Sequence, residues 1–318
     1  MRVVITGPTG AIGMALIQKW IQNRIHVAAL CHEGSKRNGN IRSLPGSGEY
    51  VQLVETDLHK LLETEREIGG KADVFYHLAW MGTTGAARND MYLQNQNVKS
   101  TLDAAELAAR LGCHTFIGIG SQAEYGRVEG KLRADTPPFP ENGYGMAKLC
   151  AGQMSRGLCE KLGIKHIWVR VLSVYGPYDN ENSMITGTVR RLLKGEHAGF
   201  TRGEQLWDYL YSEDAAEALY TLAEKGTGGK IYVLGSGKAK PLKEYIKEIE
   251  EAVREEGNRS GTIGLGEVPY ADKQVMHLEA DPEELTRDTG FQPRIPFKDG
   301  IRETVRRARM TEGREYGR

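Results

Sequence analysis

Arg2-Val3-Val4-Ile5-Thr6-Gly7-Pro8-Thr9-Gly10-Ala11-Ile12-Gly13 opens the chain, and its reading decides the fold. The β-branched run before Gly7 suits a buried parallel strand, and Met14-Ala15-Leu16-Ile17-Gln18-Lys19-Trp20-Ile21 has the apolar spacing of a helix. Between them Gly7, Gly10 and Gly13 make a tight turn at a helix N-terminus. Backbone N–H groups and the positive end of the helix dipole point outward there, which makes a cradle for a pyrophosphate. Glycine suits the cradle because a Cβ would obstruct the anion. Thr9, Ala11 and Ile12 lie in the same loop and are expected to touch the same ligand. An ordinary strand-to-helix turn is the alternative, and the position ahead of an alternating strand and helix pattern favours the phosphate reading.

Outward from this loop, strand signals fall at 26–30, 50–55, 73–79, 114–120 and 166–171, and helix signals at 91–111 and 144–162. The alternation predicts an α/β protein: a Rossmann doubly wound parallel sheet with a smaller C-terminal substrate-binding lobe. Residues 1–175 are expected to form the dinucleotide-binding domain, with a returning strand near 230–235. Residues 176–318 are expected to be mainly the lobe, with a basic helix near 183–193, a charged helix at 241–255 and a capped helix start at 281–285. The arginine-rich stretch 300–318 reads as a solvated helix with a frayed end.

Lys plus Arg and Asp plus Glu balance at 42 each, so no polybasic surface argues for nucleic acid. No apolar run approaches the ~20 residues of a membrane span, and the start leads into core strand instead of a signal peptide, which predicts a cytoplasmic location without membrane partners. Cys31, Cys113, Cys150 and Cys159 have no metal-like or disulfide-like spacing and read as free buried thiols, so no metal is expected.

The second strand runs into Cys31-His32-Glu33-Gly34-Ser35-Lys36-Arg37. A carboxylate at its end would take the adenosine ribose hydroxyls, whereas a 2′-phosphate needs that carboxylate absent and a cation or hydroxyl nearby. The first position past the strand is not acidic, and Ser35, Lys36 and Arg37 can reach a phosphate, which favours NADP(H) over NAD(H). Glu33 keeps NAD(H) open, and a solvated loop is the third reading.

Tyr144 and Lys148 are four residues apart and share a helix face. An ammonium beside a phenol favours the phenolate and suits tyrosine to acid or base work. Ser121, just past the fifth strand, places a hydroxyl at the same sheet edge, where it can hydrogen-bond a substrate oxygen. His77, Trp80 and Met81 follow the fourth strand and are candidates for a pocket wall or for ordinary packing.

On these residues the chain resembles the extended short-chain dehydrogenase/reductases, specifically the nucleotide-sugar epimerase/dehydratase family. The resemblance is carried by Gly7, Gly10 and Gly13; Asp57-Leu58; His77-Leu78-Ala79; Asn97; Gly120-Ser121-Gln122-Ala123-Glu124-Tyr125-Gly126; Tyr144 with Lys148; and Arg170-Val171-Leu172-Ser173-Val174-Tyr175-Gly176-Pro177. It weakens after about Asp179. It implies NAD(P) on the glycine loop, Asp57 with Leu58 near the adenine, Leu78 and Ala79 against the cofactor, Lys148 on the nicotinamide ribose, and Ser121 with Tyr144 as the proton-handling pair. Asn97 is expected to brace the active-site helix or a water, and a homodimer through the helices around Asn97 and Lys148 is implied as well. In the segment from Gln205 to Asp214, Trp207 stands where the family usually carries an arginine near the nucleotide diphosphate. Arg202 or Arg190 is the expected substitute, and Trp207 is either a substrate contact or a packing residue.

The resemblance implies a small-molecule nucleotide sugar as substrate, with Trp80, Gln122, Arg202 and Trp207 as candidate contacts. Family dehydratases carry an acidic pair after the catalytic hydroxyl; here Gln122-Ala123 follows Ser121, and glutamine does not exchange a full proton. A C4 epimerase retains its NAD, against which the NADP expectation counts. The expectation is therefore a 4-ketoreductase: hydride from NADPH to a 4-keto(-6-deoxy) sugar, with Tyr144 donating the proton. A reductase of small aromatic or terpenoid ketones and a non-catalytic NADP-sensing regulator are the other readings. The latter usually lacks the Tyr/Lys pair.

Overall fold

The computed structural model describes residues 1–257 and 260–316, with side chains described through 310. One sheet holds β1 (Arg2–Thr6), β2 (His26–Cys31), β3 (Val51–Glu55), β4 (Val74–His77), β5 (Thr115–Ser121), β6 (Lys165–Val171) and an edge strand, Ile231–Leu234. Its order is edge strand, β6, β5, β4, β1, β2, β3, all parallel. Every residue of β4 and β5 is buried, as a parallel sheet covered on both faces requires. The order reverses between β1 and β4, so the loops that follow these strands open a crevice at their carboxyl ends. The expected doubly wound sheet is therefore present.

Two helices build the face that carries the chemistry. Met91–Arg110 starts where the Asp90 side chain accepts from the Tyr92 and Leu93 N–H groups. Gly143–Lys161 starts where Asn142 accepts from the Gly145 N–H, which puts Tyr144 in the first turn, at the crevice. The glycines of β5, weak residues for a strand interior, have a packing reason. A Cβ on Gly118, Gly120 or Gly152 would lie 2.3, 2.3 or 2.6 Å from atoms of the Trp168 indole. That ring fills the space between β5 and the Gly143–Lys161 helix.

Several sequence expectations are corrected. Helix Ser212–Lys225 packs Ala215, Ala216, Leu219 and Leu222 into the same core as Met14 and Ile17 of the Ala11–Gln22 helix, with Lys19 paired to Glu217. A parallel crossover from β6 to the edge strand needs such a covering helix, so this stretch beyond 175 serves the sheet. The C-terminal helix, Phe297–Tyr316, is packed instead of solvated: Ile301 and Val305 are fully buried in a lobe core with Ile185, Val189 and Ile249. The frayed end expected for the tail falls on Gly317 and Arg318, outside the described residues. The helix expected from 281 is Glu283–Thr289, with the Asp281 carboxylate accepting from the Glu283 N–H at 3.1 Å. Cys31, Cys113 and Cys159 are buried and burial pushes their thiols up to about 12, but Cys150 is exposed, because it lies on the outer face of its helix between Met146 and Met154. Among the described residues, no helix is long and apolar enough to cross a membrane.

Candidate active site

The glycine loop joins the two strands at the reversal. Gly7 has φ +68°, and a Cβ on it would stand 2.8 Å from the Ala79 backbone N. Thr6 reinforces this junction: its Oγ1 accepts from the Leu78 and Ala79 N–H groups, both at 3.2 Å, and lies 2.9 Å from His77 Nδ1. Gly13 is required by packing, since its Cβ would meet the Gly7 carbonyl at 2.6 Å. Gly10 differs: a Cβ there would meet nothing nearer than 4.0 Å. The Ala11–Gln22 helix behind it has neither a side-chain cap nor an acidic residue in its first turn. The first-turn amides are thus left for an exogenous anion, which fits the pyrophosphate of a dinucleotide. Thr9 and Ile12 are half-buried in this loop, and Ala11 is buried.

Past β2, the chain wraps around Glu55, the last residue of β3. Its carboxylate accepts from Gly34 N–H (3.2 Å), Asn38 Nδ2 (3.2 Å) and Arg42 Nη2 (3.1 Å). Ser35 Oγ accepts from Arg37 N–H at 3.3 Å, Lys36 is exposed, and the Arg37 guanidinium donates to the Tyr178 carbonyl across the crevice. Asp57 precedes the turn that begins at Leu58, with His32 Nε2 3.4 Å and His59 Nε2 4.0 Å from its carboxylate. Leu58 packs on the core beneath.

Ser121 ends β5 and is buried, and its hydroxyl lies beside the Tyr144 phenol, whose ionised form it favours. Gly145 permits this approach: a Cβ on it would lie 2.2 Å from the Ala123 carbonyl. Burial raises the Tyr144 phenol above its ordinary value, while the Ser121 hydrogen bond and the Arg88 charge pull it back and Glu124 adds to the rise. Lys148 behaves differently from the sequence expectation. Its Nζ donates to the Ile119 carbonyl at 2.6 Å and lies 3.8 Å from the Trp80 ring centroid, and burial pushes its ammonium down to about 7. The cation set over the phenol ring is Arg88, with its guanidinium 4.3 Å from the Tyr144 centroid against 5.9 Å for Lys148 Nζ. Trp80 meets Tyr144 edge-on at 6.0 Å and donates from Nε1 to Gln94 at 2.8 Å.

Asn97 braces the loop after β4, accepting from the Met81 N–H and donating to the Met81 carbonyl at 2.8 and 2.9 Å. His77 is buried between the Thr6 and Thr101 hydroxyls, and burial with the nearby Lys148 charge pushes its imidazole down to about 3. It is a neutral core histidine and not a pocket wall.

Glu124 is a central residue that motif reading passed over. It is fully buried and accepts from Ser121 N–H (2.8 Å), Trp168 Nε1 (3.0 Å) and Arg170 Nε (2.7 Å). Its signal was present as the Ser-x-x-Glu spacing of a capping box, which Ser121 and Glu124 form. Arg88 had no such signal, because nothing local in the sequence brings it to Tyr144.

In the lobe, a cavity of about 500 Å³ lies between helix Met184–Leu193 and strand His197–Phe200, lined among others by Ser183, Arg190, Arg191 and Phe200. Arg190 is paired with Glu181 at its rim. Arg202 is exposed and is not among the residues lining this cavity. Trp207 is half-buried and donates from Nε1 to Ser173 Oγ at 2.9 Å. Its neighbour Asp208, also missed in the sequence, is fully buried and accepts from the N–H groups of Ser236, Gly237 and Ala280. Gln122 is half-buried in the turn after Ser121.

Comparison with known proteins agrees with this geometry. Residues 3–235 match the model of the NAD dependent epimerase/dehydratase family. A dTDP-glucose 4,6-dehydratase of Shigella flexneri is 27% identical over 349 residues, covering 96% of this chain and 92% of that one. Two solved structures share the fold: UDP-glucuronic acid 4-epimerase from Bacillus cereus, in complex with UDP-glucuronic acid and NAD (TM-score 0.82, 21% identity, 98% and 100% of the two chains), and RMD from Pseudomonas aeruginosa complexed with NADPH (TM-score 0.78, 19% identity, 98% and 99%).

Proposed function

Since the chain belongs to the NAD dependent epimerase/dehydratase family, and so is an NAD(P)-dependent enzyme of the short-chain dehydrogenase/reductase type, we propose that it reduces the 4-keto group of a nucleotide-activated 6-deoxy sugar. The observation that carries this reading is the buried Ser121 hydroxyl beside the Tyr144 phenol at the crevice, with Gln122 and Ala123 in place of an acid pair. Without that pair the site has a proton donor for a carbonyl oxygen but no carboxylates for a dehydration. A reduced nicotinamide held by the Gly7–Gly13 loop would supply the hydride. Ser121 orients the carbonyl oxygen and Tyr144 delivers the proton to it as negative charge develops. Lys148 is within the same shell, and leaving Trp80 for a ribose hydroxyl would place its charge beside the reacting atoms. Arg190 and Arg191, on the 500 Å³ lobe cavity, are suited to the diphosphate, and Phe200 to a base. Arg202, the other substitute for the family's arginine, is the alternative. Trp80 and Gln122 border Tyr144 and Ser121 and complete the sugar pocket.

NADPH is the cofactor in this reading. Ser35, Lys36 and Arg37 stand in the loop after β2, and the neighbouring Glu55 carboxylate is already occupied by Gly34, Asn38 and Arg42. The competing reading is a C4 epimerase that retains NAD, favoured by the exposed Glu33 in the same loop. Titration of intrinsic and cofactor fluorescence with NADPH and NADH separates the two. Tight, exchangeable NADPH binding to an initially empty protein is expected, with Arg37→Ala weakening NADPH roughly tenfold more than NADH, the loss of one charge-assisted contact. Copurifying NAD(H) that does not exchange would establish the epimerase instead.

A homodimer is part of the proposal. Tyr92 (86% exposed) and Met146, Cys150 and Met154 lie on the outer faces of the Met91–Arg110 and Gly143–Lys161 helices. Sedimentation velocity is expected to give twice the chain mass, shifting toward monomer in Met146→Glu/Met154→Glu. A cytoplasmic location belongs to the same reading, since unpaired thiols suit a reducing compartment.

A further inference from the structure

Among the charged groups around the reacting phenol, Arg88 stands apart because no sequence motif accounts for it. It sits in the short turn Gly85–Asn89, between the loop after β4 and the Met91–Arg110 helix. Two contacts dock this turn on the start of the Tyr144 helix, and a third, to the loop after β4, holds the Arg88 side chain. Asn89 Oδ1 accepts from the Gly143 N–H at 3.0 Å. Gly143 has no Cβ where one would stand 3.0 Å from the Arg88 carbonyl and 2.9 Å from Met91 Sδ. Arg88 Nη1 donates to the Thr83 carbonyl at 2.8 Å, which fixes the guanidinium 4.3 Å from the Tyr144 ring centroid.

We infer that Arg88 is a positioning residue for Tyr144, a permanent cation laid on the face of its ring that stabilises the phenolate. The inference rests on Tyr144 being the proton-transferring group. Its physical basis is the comparison of the charges that face the phenol. Glu124, from the turn after β5, opposes the phenolate, but its charge is balanced by Arg170 of β6. Lys148, on the same helix as Tyr144, is turned onto Ile119 and Trp80. An ammonium pushed down to about 7 also loses its charge within the working range of an enzyme, whereas a guanidinium does not. Arg88 therefore supplies the positive charge that persists at every relevant pH. A ring cation of this kind favours the anionic phenol over the neutral one, because the negative charge of a phenolate spreads into the ring. The Thr83 anchor also makes Arg88 a wall that holds the ring against the Trp80 edge.

The test is a titration of the protein carrying tyrosine labelled with carbon-13 at Cζ, in which Tyr144→Phe identifies the Tyr144 signal. The wild-type midpoint, raised by burial, is the reference for the variants. In Arg88→Gln and Arg88→Met its midpoint is expected to rise by roughly 1 unit or more, and in Arg88→Lys by a few tenths. A midpoint unmoved in both neutral variants overturns the inference. An equal shift in Arg88→Lys overturns it too, because the effect would then come from packing and not from charge. The readout needs no substrate, so a wrong choice of reaction would leave this titration intact, while turnover assays alone report on the reaction.

Discussion

Tyr144→Phe is expected to lower turnover by roughly 10²- to 10⁴-fold, the range associated with losing a general acid, while leaving the cofactor dissociation constant within about twofold. The substitution removes one hydroxyl and no packing. The ring keeps its edge contact with Trp80 and its place beneath Arg88, and the helix keeps its Asn142 cap. The glycine loop lies on a different strand and is not disturbed. The loss should therefore appear in kcat, with fluorescence titration of the cofactor as the control. Ser121→Ala is a less clean probe of the same step, because the Ser121 hydroxyl also caps the turn by accepting from the Ala123 N–H at 3.2 Å. Normal turnover in Tyr144→Phe would remove the proposed proton donor.

Glu124→Ala is expected to cost about 3–5 kcal/mol of folding stability, read from urea denaturation, because it leaves the Arg170 guanidinium buried without its counter-ion. Glu124 and Arg170 are 0% and 2% exposed, so water cannot replace the lost contact without reorganising the core. The Ser121 amide and the Trp168 indole N–H lose their acceptor in the same step. Glu124→Met/Arg170→Met is expected to recover most of the loss, since a buried ion pair replaced by apolar groups of similar volume is often neutral or stabilising. Recovery would assign the cost to the stranded charge. If the double variant were as unstable as the single one, packing of the Tyr125 ring against the Arg170 guanidinium, 4.4 Å from its centroid, would be the main contribution.

What could be read locally was read correctly where the period was long or the turn chemistry specific. The strand, glycine loop and helix at the start and the run of β-branched strands all act within a few residues, so the sequence displays them directly. Helix Ser212–Lys225 was not placed, because its alanine-rich stripe resembles a lobe element until the crossover to Ile231–Leu234 demands a cover. The C-terminal helix misled in the opposite sense: its arginines dominate the composition, while a few residues such as Ile301 and Val305 decide where it packs.

The site divides along the same line. By itself the sequence determined the parallel sheet, the glycine loop at the first helix N-terminus and the pairing of Tyr144 with Lys148 on one helix face, because each depends on spacing within one element or between neighbouring ones. Only the tertiary structure decided that Lys148 turns to Ile119 and Trp80, that Arg88 covers the phenol, and that Glu124 ties Ser121 to Trp168 and Arg170. Those contacts join residues as far apart in sequence as Trp80 and Lys148, and charge acts through space, so which cation favours the phenolate follows from how the chain is packed and not from the order of its residues.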